Sequence, residues 1–75
     1  MKDEIVKEIM RIMKEKQVAR KVELFEQVSK KKKVSKKDFE KIVNELIEKN
    51  WIKSIYGGNT TFALTQSGLK ESKLK

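Results

Sequence analysis

The sequence predicts a small α+β domain, and three observations carry that expectation. Three stretches in residues 1–50 repeat apolar residues at helical spacing; residues 51–64 change to strand-like composition around a glycine turn; and the stretch 35–50 brings its own start and stop signals. At 75 residues the chain is expected to be a single domain, 1–75, of a size that buries only roughly 60% of its unfolded surface.

The first helix is expected from Lys2 to about Lys16. Ile5, Val6, Ile9, Ile12 and Met13 share a face, while Asp3, Glu4, Lys7, Glu8, Arg11 and Glu15 occupy the rest. Acids at its start and lysines at its end agree with the helix dipole. Gln17 to Arg20 breaks the pattern, and Val18 and Ala19 suit a very short strand that pairs with a later hairpin. A second helix is expected from about Val22 to Lys31, with Leu24, Phe25 and Val28 inward, and Val34 packing under the turn that follows.

The third helix, Ser35 to Asn50, organises the chain. Ser35 is placed to accept a bond from a first-turn N–H, with Asp38 three residues on as its capping partner. Phe39, Ile42, Val43, Leu46 and Ile47 form one stripe at about 3.6 residues per turn and are expected to be core. Asn50 stands where a left-handed residue ends a helix. The opposite face shows Lys36, Lys37, Glu40, Lys41 and Asn44.

After Asn50, Trp51 to Tyr56 and Thr60 to Leu64 read as two strands, with Phe62 and Leu64 on one face. Gly57, Gly58 and Asn59 are expected to supply the positive φ angles of the hairpin turn. Trp51 is expected to pack at the helix–strand junction, and Tyr56 to stand either at the core edge or on the hairpin surface. The remainder, 65–75, is a tail able to start a short helix at Thr65 or Ser67.

Composition narrows the function. With no cysteine and no histidine, disulfides, thiolate metal sites and the usual general base are all missing. Asp38 and Glu40 lie two apart on a helix and diverge, so they make no paired-carboxylate site. The glycines at 57–58 are a turn, not a phosphate loop. No enzyme, cofactor or metal is therefore expected. No apolar run is long enough to span a bilayer and no signal peptide is visible, so the expectation is a cytoplasmic protein. The 17 lysines against 2 arginines, with no proline, resemble the charge bias of heat-adapted proteins.

The net charge of +8 is concentrated: residues 29–37 hold six lysines and no acid, while residues 1–28 come to only +1. A lysine-rich loop is often just a solvated surface. Placed at the start of an amphipathic helix, it also suits a polyanion.

The order helix, short strand, helix, helix, strand, strand, tail resembles the winged helix-turn-helix family. Three stretches carry the resemblance: NELIEKNWI at the end of the third helix, the two strands around GGN, and ALTQSGLKE, similar to the stretch that closes the wing in MarR- and PadR-type regulators. The family commonly has glycine where this chain has Asn50. The resemblance implies three helices with a β-hairpin wing, and duplex DNA binding by a transcriptional regulator. Lys30, Lys31, Lys32 and Lys33 would meet phosphates, and Lys36, Lys37, Glu40, Lys41 and Asn44 would enter the major groove. The wing tip GGNTT carries no basic residue. With Lys53 nearby, it would touch the backbone through Asn59, Thr60 and Thr61, or not touch DNA at all. A homodimer is a further expectation, using Met10, Leu69 and Leu74.

The stretch GNTTFALTQSGLK is also similar to the wing of DsrD, a family of small winged-helix proteins associated with dissimilatory sulfite reductase. That resemblance implies a protein-interaction module, a partner and activator of sulfite reductase, with Tyr56, Asn59, Thr60 and Thr61 in the contact. The lysines alone do not separate DNA from an acidic protein partner, since both want the same charge.

Overall fold

The computed structural model describes residues 2–58 and 60–73. They form α1 (Lys2–Lys16), β1 (Val18–Arg20), α2 (Lys21–Lys31), α3 (Lys36–Glu48), β2 (Ile52–Ile55), β3 (Thr61–Leu64) and α4 (Gln66–Lys73). The fold is α+β, with four helices and a three-stranded antiparallel sheet of order β1-β3-β2.

Helix α1 ends where Gln17 adopts a left-handed backbone (φ 71°). Its N–H bonds to the Met13 carbonyl (2.6 Å), and its own carbonyl accepts the N–H of Leu64 (2.9 Å), so the helix end becomes the first rung toward the sheet. The short strand expected at Val18–Ala19 forms and pairs with β3, Ala19 opposite Phe62. Ser54 on β2 lies opposite Phe62 on the other side.

Helix α3 follows its sequence signals closely. The Ser35 hydroxyl accepts the Asp38 N–H (3.1 Å). At the other end Asn50 takes φ 64°. The N–H of Trp51 reaches the Leu46 carbonyl (3.0 Å) and that of Asn50 reaches Ile47 (2.9 Å). This paired arrangement uses two of the carbonyls a helix end leaves open, with asparagine in the position glycine usually fills.

Phe39, Ile42, Val43 and Leu46 of α3 meet Ile5, Ile9, Ile12 and Met13 of α1, Leu24 and Val28 of α2, and Ala19, Ile52 and Phe62 of the sheet in one core, with no polar or charged residue buried among those described. Phe25 and Phe39 contact edge to face, centroids 5.2 Å apart. Val34, Ile47 and Trp51 are partly buried against this core, and Lys49 lies 4.9 Å over the Trp51 ring. Among the described residues, no helix is long and apolar enough to cross a membrane.

Three expectations are corrected. The helix count is four, not three: the short helix that the tail is able to start forms over 66–73 and packs against α1. Met10, expected as a spare apolar residue for a dimer, is 5% exposed and part of the core. Leu69 is half-buried, and Leu74 lies outside the described residues. In the hairpin, the positive φ angles fall on Tyr56 (65°) and Gly57 (72°), not on Gly58; Asn59 is outside the described residues.

What anchors α4 is Thr65. Its hydroxyl hydrogen points at the carbonyls of Asn50 (2.5 Å) and Trp51 (2.9 Å), and its oxygen accepts the Gly68 N–H (3.0 Å). Its backbone N–H also reaches the Trp51 carbonyl (3.1 Å). A Cβ on Gly68 would overlap that carbonyl oxygen and come within 2.9 Å of Leu64 Cδ1. Gly68→Ala is therefore expected to destabilise the fold by about 1–3 kcal/mol, the usual cost of overpacking. Urea unfolding followed by Trp51 fluorescence measures it, and an unchanged midpoint would show that α4 docks more loosely than this.

Candidate nucleic-acid interface

The α2–α3 turn gathers the charge. Lys30 and Lys31 occupy the last turn of α2, Lys32 and Lys33 the turn itself, and Lys36 and Lys37 the first turn of α3. All but Lys32 are exposed. Lys32 is half-buried, and its Nζ lies 3.2 Å from the Glu4 carboxylate of α1. None of the other five makes an ion pair among the described residues, whereas Lys2, Arg11, Lys16 and Lys21 all have carboxylate partners.

The polar residues of α3 divide between three directions. Lys37, Lys41 and Asn44 are exposed opposite the buried stripe, with Glu48 continuing the row. Lys36 and Glu40 turn toward α2, where they line a cleft with Lys21, Val22, Phe25, Phe39 and Thr60. Glu40 is ion-paired there with Lys21 (3.2 Å). Lys41 also borders an open groove that Lys33, Val34, Asp38, Ile42 and Glu45 share with Lys2 and Ile5 of α1.

The expected site residues are thus only partly brought together. Lys30–Lys33, Lys36, Lys37, Lys41 and Asn44 form one connected surface. Thr60 is exposed beside Lys36 in the cleft, and its carbonyl accepts the Lys21 N–H (2.7 Å). Lys53 and Thr61 belong to the sheet face turned away from the helices, by their pairing with Ala63 and with Ile55. Asn59 lies outside the described residues.

Sequence reasoning missed the cleft and its apolar rim. Val22 is 73% exposed beside Phe25, and only its offset from the inward positions Leu24 and Val28 signalled it. It also missed three ion pairs that lower the pKa of their acids, two of them at this region. Glu4 is held below the usual carboxylate range by a hydrogen bond and charge from Lys32. Glu45 is lowered in the same way by Lys2, 2.6 Å away, and Glu23 by Lys16 at 3.2 Å. Among the described residues no cluster of acids is able to hold a metal ion.

Because the folded state lowers these three carboxylates, their contribution is complete at neutral pH and fades as pH falls through the carboxylate range. All three are at the surface, so the effect is small and salt-sensitive. The urea midpoint is expected to fall on acidification, and less so in a Glu4→Gln/Glu23→Gln/Glu45→Gln variant; an equal fall in both would assign the acid response elsewhere. Ser35→Ala should cost about 1 kcal/mol through loss of the α3 cap, measurable in the same titration at neutral pH.

Compared with known proteins, the chain matches no family model and no curated sequence.

Proposed function

We propose that the chain is a winged helix that binds duplex DNA in gene regulation, with the α2–α3 turn on phosphates and the outward row of α3 in the major groove. One observation carries the reading. Acids and bases nearly balance over residues 1–28, at +1, yet Lys30, Lys31, Lys33, Lys36 and Lys37 stand exposed and without an ion pair among the described residues, within one short segment that holds no acid. The element order supports it: two helices joined by a four-residue turn, the second presenting a polar row, followed by a hairpin. Lys37 and Lys41 are suited to guanine or phosphate, and Asn44 to adenine.

A protein-docking winged helix is the second reading, favoured by the cleft between α2 and α3. Its exposed Val22 and half-buried Phe25 are of more use to a protein side chain than to a phosphate. The DsrD resemblance belongs here, with a sulfite reductase subunit as the kind of partner it implies.

Fluorescence anisotropy of a labelled duplex across a salt series separates the two. Binding should weaken steeply with salt, and a Lys30→Ala/Lys31→Ala/Lys32→Ala/Lys33→Ala variant should show a slope shallower by about 0.9 for each phosphate it no longer neutralises. Asn44→Ala should relax sequence preference while keeping most of the affinity. No duplex binding by the folded protein at low salt would leave the docking reading in its place.

A further inference from the structure

The sheet has a second face. Strand alternation puts Val18, Ala63 and Lys53 in one cross-strand row and Arg20, Thr61 and Ile55 in another, on the side opposite Ala19 and Phe62, which enter the core. Val18 is 46% exposed, Arg20 and Lys53 are exposed, and Ile55, Thr61 and Ala63 are half-buried. The face therefore has Thr61 and Ala63 at its centre, and one aliphatic residue and one cation on each edge strand. Neither cation makes an ion pair among the described residues. Glu23 on α2 is ion-paired with Lys16 and also feels, more weakly, the backbone N–H and charge of Arg20.

Tyr56 directly follows Ile55, where β2 runs into the hairpin turn. It is 86% exposed, the most exposed large apolar residue described, and its backbone is left-handed (φ 65°). Left-handed backbone is costly for a bulky side chain, and asparagine or glycine is the ordinary choice beside Gly57 in such a turn. The ring thus occupies a place where the core does not use it and the backbone disfavours it, the kind of residue that marks a contact.

We propose that this face binds single-stranded nucleic acid, with Arg20 and Lys53 holding phosphates and the Tyr56 ring stacking on an unpaired base. By strand spacing the two cations sit roughly 12 Å apart, the span of three or four stacked nucleotides at about 3.4 Å each. An exposed ring and a sheet surface suit bases that a duplex would hide. An acidic peptide strand would be drawn to the open edges of β1 or β2, where main-chain groups are unpaired, whereas Arg20 and Lys53 lie on the face. The surface is separate from the lysine turn, so it does not depend on the duplex reading.

The test is anisotropy of a labelled oligo-dT of about 12 nucleotides, beside a labelled duplex, with the full chain. Tyr56→Ala and Tyr56→Asn should weaken oligo-dT binding by about fivefold to a hundredfold, and Tyr56→Phe should bind like wild type. Arg20→Ala/Lys53→Ala should reduce the salt slope for the single strand. Tyr56→Asn should also melt a few degrees higher, since asparagine relieves the turn, so weaker binding there cannot come from unfolding. Lys37→Ala/Lys41→Ala should weaken the duplex and spare the single strand. Equal oligo-dT affinity across the Tyr56 variants would overturn the proposal. So would loss of oligo-dT binding only in the Lys37→Ala/Lys41→Ala variant, competition by poly-glutamate as strong as by unlabelled oligo-dT, or no oligo-dT binding at low salt.

Discussion

Strand β3 is paired on both edges, and the two strands it joins do not pair with each other. It holds α1, β1 and α2 on one side to α3 and β2 on the other, through three residue pairs with β1 and four with β2. Phe62, at 1% exposed, carries this junction into the core and lies opposite Ala19 and Ser54. The helices alone form a stack of amphipathic elements. With β3 in place, the hairpin loop is set beside the start of α2, where the Thr60 carbonyl takes the Lys21 N–H, and the cleft between α2 and α3 acquires a rim.

The electrostatic design follows from the same geometry. Each surface ion pair contributes little by itself, commonly below about 1 kcal/mol, but together the pairs determine where charge is left over. Lys2 and Glu45 link α1 to α3, Glu4 and Lys32 link α1 to the turn, and Lys21 and Glu40 link α2 to α3. Among the described residues, the cations left without an ion pair include those of the α2–α3 turn, the outer row of α3 and the outer sheet face, besides Lys7, Lys14, Lys49 and Lys70. The first two are continuous, and the third is separate. That separation is what the two proposals rest on, one surface rich in lysine and the other a sheet face carrying Arg20 and Lys53.

Much of this was legible in the residues because it is local. Helix α3 is written in Ser35, the spacing from Phe39 to Ile47, and Asn50; the short strand at Val18–Ala19 is written in the break of the α1 pattern. The shift from lysine-rich to acidic along α3 also located the basic end of the candidate interface. Most of the misses are matters of contact between distant segments. Glu4 and Lys32 are 28 residues apart, and nothing in either neighbourhood announces the other. Helix α4 is polar and short, held by one hydroxyl on two carbonyls and by a glycine with no room for a side chain, so its hydrophobic pattern is faint. Tyr56 escaped because two glycines follow it, and the usual preference assigns positive φ to glycine first.

The central position of β3 also bears on synthesis. The strand comes late in the chain, so while a ribosome is still making residues 1–60 the sheet has no middle, and β1 and β2 have nothing to pair with. The apolar faces of α1, α2 and α3 are already made by then and have only each other for cover. Domains generally fold as units as they emerge, and this one becomes foldable only over its final stretch. A message cut short before Phe62 would therefore yield a sticky, strongly basic fragment instead of a smaller version of the same domain.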